Sequence, residues 1–488
     1  MTGGFVSQND ARCCSIIRHM KSTAVVVGSG PNGLSAAIEL ARAGLDVEVR
    51  EATALPGGGC RSAELTLPGF VHDICSAVHP MAAGSPFFST IDLHGHGLHW
   101  IWSPAELAHP LDDGTAVLLF RDIRQTAEQF GSDAQNWRSV FEPLVRNWAP
   151  LIKSVFTPWE AARHPFLFAR FGMRALQPAM FLARRSFGNP RARALFAGCA
   201  AHSIMAFEYP LSSSIGLIMA AAGHATGWPI PRGGSQSLAN ALIGVLGSFG
   251  GRVTINTRVN DLNEVRGAEL TLCDITPRQL LSLAKDRLPE PFRRKLRRYR
   301  YGPGVFKVDW ALREPIPWKA KDCLTAATVH LGGTLEEIAE SEHRAWHGQP
   351  PEKPYVLLAQ QSLFDSTRAP AGRHTAWAYC HVPNAWTGSA LTQIEDQVER
   401  FAPGFRECVL ARSVHGPLDM QALNENLVGG DINGGAFTVA QFAFRPTWRQ
   451  YGTPLPGVYV CSASTLPGGG VHGMCGYNAA RVALASLP

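Results

Sequence analysis

The chain has 488 residues, 45% of them hydrophobic and 17% charged, which is a globular composition too long for one core and suited to two interleaved domains. No run of 18 or more apolar residues occurs, which excludes a spanning helix. The net charge of +6 comes with no recognition module beside the arginines, which excludes nucleic acid as a partner. Eleven cysteines are scattered without a Cys-x-x-Cys pair, so the expectation is reduced thiols in a cytoplasm and no metal site.

Residues 1–21 have no apolar signal-peptide core and are expected to be disordered; the alternative is that translation starts at Met20. Residues 22–27 then read as a short β-branched strand. It runs into Gly28-Ser29-Gly30-Pro31-Asn32-Gly33 and a helix. In this pattern Gly28 makes the tight turn and Gly30 lets backbone approach a pyrophosphate. Gly33 lets the helix pack closely on the strand, and its N-terminus attracts phosphate. Residues 45–51 alternate as a second strand ending in Glu51, followed by Ala52. Glu51 lies 23 residues after Gly28, the spacing of an acid that holds a ribose hydroxyl. A second glycine turn follows at once, with Gly58, Gly59 and Arg61, a flavin habit rather than a nicotinamide one. His79 comes soon after and is a candidate to face the flavin ring.

Residues 120–225 read as a helical cap. Within it, residues 161–193 alternate arginines with Phe166, Phe168, Phe171, Met173 and Phe181, as in a pocket lid or a face lying on an anionic membrane. Residues 229–259 read as a turn, a helix ending near Phe249, and a strand from Arg252 to Val259. Residues 261–272 read as a trimmed hairpin and residues 270–277 as the next strand. The basic run from Arg293 to Arg300 reads as a solvated helix face. Residues 304–312 and 355–359 read as strands of a second sheet. Period-two alternation puts Lys307 and Asp309 on one face and Phe306, Val308 and Trp310 on the other. At the end, a strand at residues 457–461, a glycine-rich loop containing Ala463, Gly470, Val471 and His472, and a helix from Tyr477 to Leu487 complete the pattern. No second Gly-x-Gly-x-x-Gly directly follows another strand, so a separate NAD(P)H domain is not expected.

The two glycine turns and the C-terminal loop resemble the FAD-dependent phytoene desaturase and amine oxidase superfamily, in its phytoene-dehydrogenase-like branch. The chain departs from that pattern where Gly59 replaces an arginine and Arg61 follows two residues on, and where Ser462 and Ser464 replace glycines. The resemblance implies an α/β fold: a Rossmann-like FAD-binding domain (residues 22–90, 229–285 and 455–488) with a discontinuous substrate domain (91–228 and 286–454, mixed sheet plus helical cap). It implies FAD as cofactor, with the Val259 backbone at the adenine, Arg61 at a phosphate and the C-terminal loop at the flavin ring. Some relatives hold a lysine over flavin N5, which makes Lys307 a catalytic candidate beside His79 and His472.

The leading reading is a dehydrogenase, desaturase or oxidase that moves a hydride from an apolar, isoprenoid- or lipid-like substrate to flavin N5. Oxygen or a quinone is the acceptor, and peripheral membrane contact is a further expectation. An amine oxidase and a non-catalytic binder of lipidated partners, like Rab-escort or GDP-dissociation-inhibitor proteins, are the alternatives.

Overall fold

A computed structural model describes residues 23–487. The expectations for residues 1–21 and for a start at Met20 lie outside them.

Five parallel strands form the first sheet, in the order Val458–Val460, Leu270–Cys273, Thr23–Val27, Asp46–Arg50, Arg252–Thr254. A parallel sheet is covered on both faces, so its strands read as continuous apolar runs. Thr23–Val27 shows why. Ala24 and Val26 join the core under the helices Pro31–Arg42, Gln236–Ser248 and Met474–Leu484. Val25 and Val27 join the opposite core, against Leu280, Phe292 and Leu296. Phe292 and Leu296 are the inward pair of Glu290–Arg297, so its arginines form the outer face. This is a Rossmann-like α/β arrangement.

The helix Met474–Leu484 crosses Pro31–Arg42 at very short range. A Cβ on Gly476 would lie 1.7 Å from the Asn32 carbonyl oxygen, so only glycine fits. The crossing brings the C-terminal loop over the first glycine turn.

The second sheet has seven strands, in the order Val409–His415, Gly304–Leu312, His374–Val382, Val356–Ala359, Thr328–Leu331, Leu107–Pro110, Ala116–Leu119. Its pairings are antiparallel except that of Thr328–Leu331 with Leu107–Pro110. One face is apolar across the central strands, with Phe306, Val308, Trp310, Val329, Leu358 and Ala378 in a single core. The other carries Lys307, Asp309, Thr328, Trp377 and Tyr379, all buried. Of the seven helices between Ile123 and Ala225, Ile123–Glu128, Pro190–Ala201 and Ser212–Ala225 pack on this sheet, and the last is buried along most of its length.

Three local expectations are corrected. The strand from Arg252 to Val259 ends at Thr254, because Asn256 takes a left-handed φ of 53° and the chain folds over the end of Asp46–Arg50. Thr257 N–H then donates to the Glu51 carbonyl at 2.7 Å, which turns Val259 towards the acid. The trimmed hairpin is instead a single turn, Leu262–Val265, held by a capping box between Asp261 and Glu264. The last helix runs Met474–Leu484, one turn earlier than Tyr477 to Leu487.

All nine described cysteines are free. No helix among the described residues is long and apolar enough to cross a membrane.

Candidate functional site

A cavity of about 950 Å³ runs from the first glycine turn to the polar face of the seven-stranded sheet. At its glycine end the walls are backbone. Gly28, Ser29, Gly30, Pro31 and Asn32 line it, and Gly58 and Gly59 face them. The two turns touch: a Cβ on Gly58, whose φ is +57°, would sit 2.8 Å from the Gly30 Cα. Such a cradle, at the carboxyl ends of parallel strands and the N-terminus of a helix, receives phosphate. Gly33 lies one layer behind the wall. Its N–H donates to Asp274 Oδ2 at 3.0 Å, and a Cβ there would lie 2.1 Å from the Gly28 carbonyl oxygen.

Glu51, Ala52, Arg61 and Val259 line the same end. Glu51 Oε2 accepts from the Ser29 N–H at 3.0 Å and hydroxyl at 2.6 Å, and Oε1 from the Thr53 N–H at 2.9 Å and hydroxyl at 2.8 Å. Burial works to raise this carboxyl, but the Ser29 and Thr53 donors together hold it below its ordinary value. It is therefore a charged acceptor at neutral pH. Arg61 is buried and donates Nε to the Gly58 carbonyl at 2.8 Å. Burial pushes its guanidinium down, with Glu51 opposing.

Ala463, Gly470, Val471 and His472 line the middle of the cavity. His472 Nδ1 accepts the Met474 N–H at 3.0 Å, and the ring lies 4.6 Å from that of Phe156. Burial pushes it down to about 4, so it is neutral. The serines that replace family glycines are tied to backbone. Ser462 donates to the Ile275 carbonyl and Ser464 to that of Gly434, each at 2.7 Å.

His79 also lines the cavity, on the segment that joins the second glycine turn to the sheet. Lys307 does not. Its ammonium is paired with Asp309, two residues along the same strand face, and is 2% exposed. It lies 6.0 Å from the Trp377 ring centroid. The expectation put this lysine at the reacting face; in the structure it is paired with a buried carboxylate and stands outside the cavity lining. A second buried pair, Asp73 with Arg368 at 2.6 Å, stands in the same polar layer. Among the described residues one grouping has metal-ligand spacing, Glu208, His343 and His347; it is exposed, and none of the three lines the cavity.

Two parts of the site carried no motif. Asp274, at the end of Leu270–Cys273, lines the glycine end, and burial pushes its carboxyl up to about 7, with Gly33 opposing and Glu51 adding. Its place at a strand's carboxyl end was the available signal. At the far end Thr328, Leu357, Trp377 and Tyr379 form the sheet wall, while Phe168, Phe171, Ala175 and Leu176 close the cavity from the helical side. The helix Pro165–Ala175 turns Phe166 (90% exposed) and Met173 (67%) outward, and the next helix, Ala179–Ser186, does the same with Phe181 (50%).

Residues 26–92 match the model of the NAD(P)-binding Rossmann-like domain family. The chain is 25% identical to a rat protein, pyridine nucleotide-disulfide oxidoreductase domain-containing protein 2, over 95% of this chain and 93% of that one. It is 24% identical to the lycopene-forming phytoene desaturase of Pantoea ananas, over 95% and 99% of the two chains. A putrescine oxidase variant of known structure superposes with a TM-score of 0.59 at 17% identity, covering 95% of this chain and 99% of that one, a likeness of fold.

Proposed function

We propose that the chain is an FAD-type oxidoreductase in a phytoene-desaturase-like branch of the amine oxidase superfamily, and that it oxidises an apolar, isoprenoid- or lipid-like substrate. The observation that carries this reading is the continuity of one cavity from a backbone phosphate cradle to a wall of aromatic and aliphatic side chains. FAD, when bound, supplies hydride acceptance at N5.

The chain's own residues supply position. Gly28, Ser29, Gly30, Gly58, Gly59 and Arg61 would hold the pyrophosphate. Glu51, Ala52 and Val259 would hold the adenosine, and Ala463, Gly470, Val471 and His472 the flavin end. In this division residues 22–90, 229–285 and 455–488 serve the cofactor, and residues 91–228 and 286–454 serve the substrate. Phe168 and Phe171 exclude water from the apolar part. The exposed Phe166, Met173 and Phe181, interleaved with Arg170, Arg184 and Arg185, suit contact with an anionic membrane from which such a substrate is drawn. Oxygen or a quinone takes the electrons.

Denaturing the purified protein and chromatographing the released chromophore tests this reading. FAD is the expected product. FMN, or a colourless protein that takes up no FAD, contradicts it. Photoreduced holoprotein is expected to be reoxidised by a quinone or by oxygen.

A further inference from the structure

The helix Leu335–Trp346 ends with His343 in its last turn and His347 as its C-cap. Four residues apart on a helix, the two side chains share one face. Their ring centroids lie 4.1 Å apart. Beside them stands Glu208, on the loop that joins Pro190–Ala201 to Ser212–Ala225. Its Oε1 lies 2.6 Å from His343 Nδ1. One ligand atom from each of the three residues lies within 4.8 Å of those of the other two. The expectation of no metal site rested on cysteine spacing, and a carboxylate 135 residues before its histidine leaves no such pattern.

The donors are available. His347 Nδ1 lies 2.8 Å from the His343 carbonyl, which can only accept, so Nδ1 carries the proton and Nε2 keeps the lone pair. A ring N–H held by a backbone carbonyl is the usual outer partner of a metal-binding histidine. The neighbour of Nε2 is the Tyr209 hydroxyl, at 3.3 Å. The side chains of His343 and Glu208 are 47% and 48% exposed, so an ion reaches them. A helix C-terminus adds unpaired carbonyls and the negative end of its dipole, which favour a cation.

Two imidazoles and a carboxylate suit a transition ion of the zinc class, with water as the fourth ligand. Calcium and magnesium want a set of oxygens instead. Lys295, Arg298 and Arg300 line a surface groove together with His347, and they disfavour a cation held by charge alone. Zinc bonds of about 2.0–2.2 Å set tetrahedral donors roughly 3.4 Å apart. Rotation of three exposed side chains reaches that spacing from the one seen.

The loop that carries Glu208 is also a wall of the main cavity, through Ser203, Ile204 and Leu211. Ile204 and Leu211 hold left-handed φ values of 52° and 75°, costly for any residue with a Cβ and most of all for a β-branched one. Such a conformation persists only where its surroundings hold it.

We propose that Glu208, His343 and His347 bind one divalent transition ion of the zinc class, which ties the loop 203–211 to the helix Leu335–Trp346 and so fixes that part of the cavity wall. On coordination the Nδ1 proton of His343 passes by way of water to its Nε2, and the ion takes its place against Glu208. The site is independent of the cofactor and substrate readings above.

The test takes the full, untagged chain, dialysed against a chelator, and titrates it with Zn2+ by calorimetry. Hydrogen exchange is then followed with and without the ion. One Zn2+ per chain is expected, with slower exchange across residues 203–211. Glu208→Gln, His343→Ala and His347→Ala should each weaken binding by at least about tenfold, since loss of an outer partner alone costs about 10–100-fold. Each should also abolish the slowing. All three positions are exposed, so the metal-free variants should melt with metal-free wild type. His94→Ala, at another exposed histidine, should bind as wild type does. No binding below millimolar Zn2+, binding that survives His347→Ala or is lost in His94→Ala, or tighter binding of Mg2+ or Ca2+ overturns the site. Binding that leaves exchange across residues 203–211 unchanged overturns the tie.

Discussion

At the glycine end of the cavity the phosphate cradle is main chain, and at the sheet end the wall is side chain. Gly30 and Gly58 meet without a Cβ between them, and the helix Pro31–Arg42 points its N-terminus at the gap. Thr328, Trp377 and Tyr379 instead come from strands that meet only through register. A backbone wall serves any dinucleotide and is built from a few consecutive residues. A side-chain wall is particular to one ligand and is assembled from distant segments. The cofactor class is therefore general to the fold, while the substrate is particular to this chain.

The largest effect belongs to the backbone end. Gly476→Ala drives a methyl group into the Asn32 carbonyl and should cost about 3 kcal/mol, at the upper end of overpacking effects. Urea denaturation should show the loss, and the purified variant should carry little FAD. A stable, yellow variant would break the claim that close main-chain approach builds this end.

Glu51→Gln comes next. The amide nitrogen cannot accept from Ser29 or Thr53, and the charge is lost. FAD affinity should fall by about 1.5–3 kcal/mol, the worth of a charge-assisted hydrogen bond. Equilibrium titration of the cofactor-free protein measures it, and an unchanged Kd contradicts the role.

The way the two ends are built also explains what the sequence made legible. The glycine turns, the acid after the second strand and the C-terminal loop are local patterns. The strand face shared by Lys307 and Asp309 followed from a period of two. What stands beside them on that face did not, because Thr328, Leu357 and Trp377 are joined only by pairing across three strands. Residues 261–265 were misread for another reason: Asp261 and Glu264 have the spacing of a capping box, which outweighed the family pattern of a hairpin. Asp274 was missed because one aspartate after a strand carries no motif.

Asp274 sharpens the comparison through pH. Its folded value of about 7 lies above that of an unfolded aspartate, so the folded protein holds the proton more tightly. Its contribution to stability is full below the unfolded value and is lost as pH rises through about 7. Asp274→Asn should flatten that decline in the cofactor-free protein by on the order of 1 kcal/mol, read from urea midpoints between acid and neutral pH. An unchanged slope contradicts it.

The smallest effect on stability is expected outside both ends. Phe166→Ser combined with Met173→Ser changes exposed side chains and should leave stability within about 0.5 kcal/mol of wild type. It should nonetheless abolish sedimentation with anionic liposomes at low salt. Equal sedimentation of the variant would leave these helices as a lid alone.

The central claim is that the described residues form one phosphate cradle, which FAD takes, so that reductant reaches the flavin only from the side-chain end. A hydride donor must come within about 3–3.5 Å of N5, and a nicotinamide on its pyrophosphate needs a second cradle to get there. Mixing the oxidised holoprotein anaerobically with NADH or NADPH in a stopped-flow spectrometer tests this most directly. The flavin band should remain unbleached on the timescale of turnover with either nucleotide; rapid bleaching by either would contradict the claim.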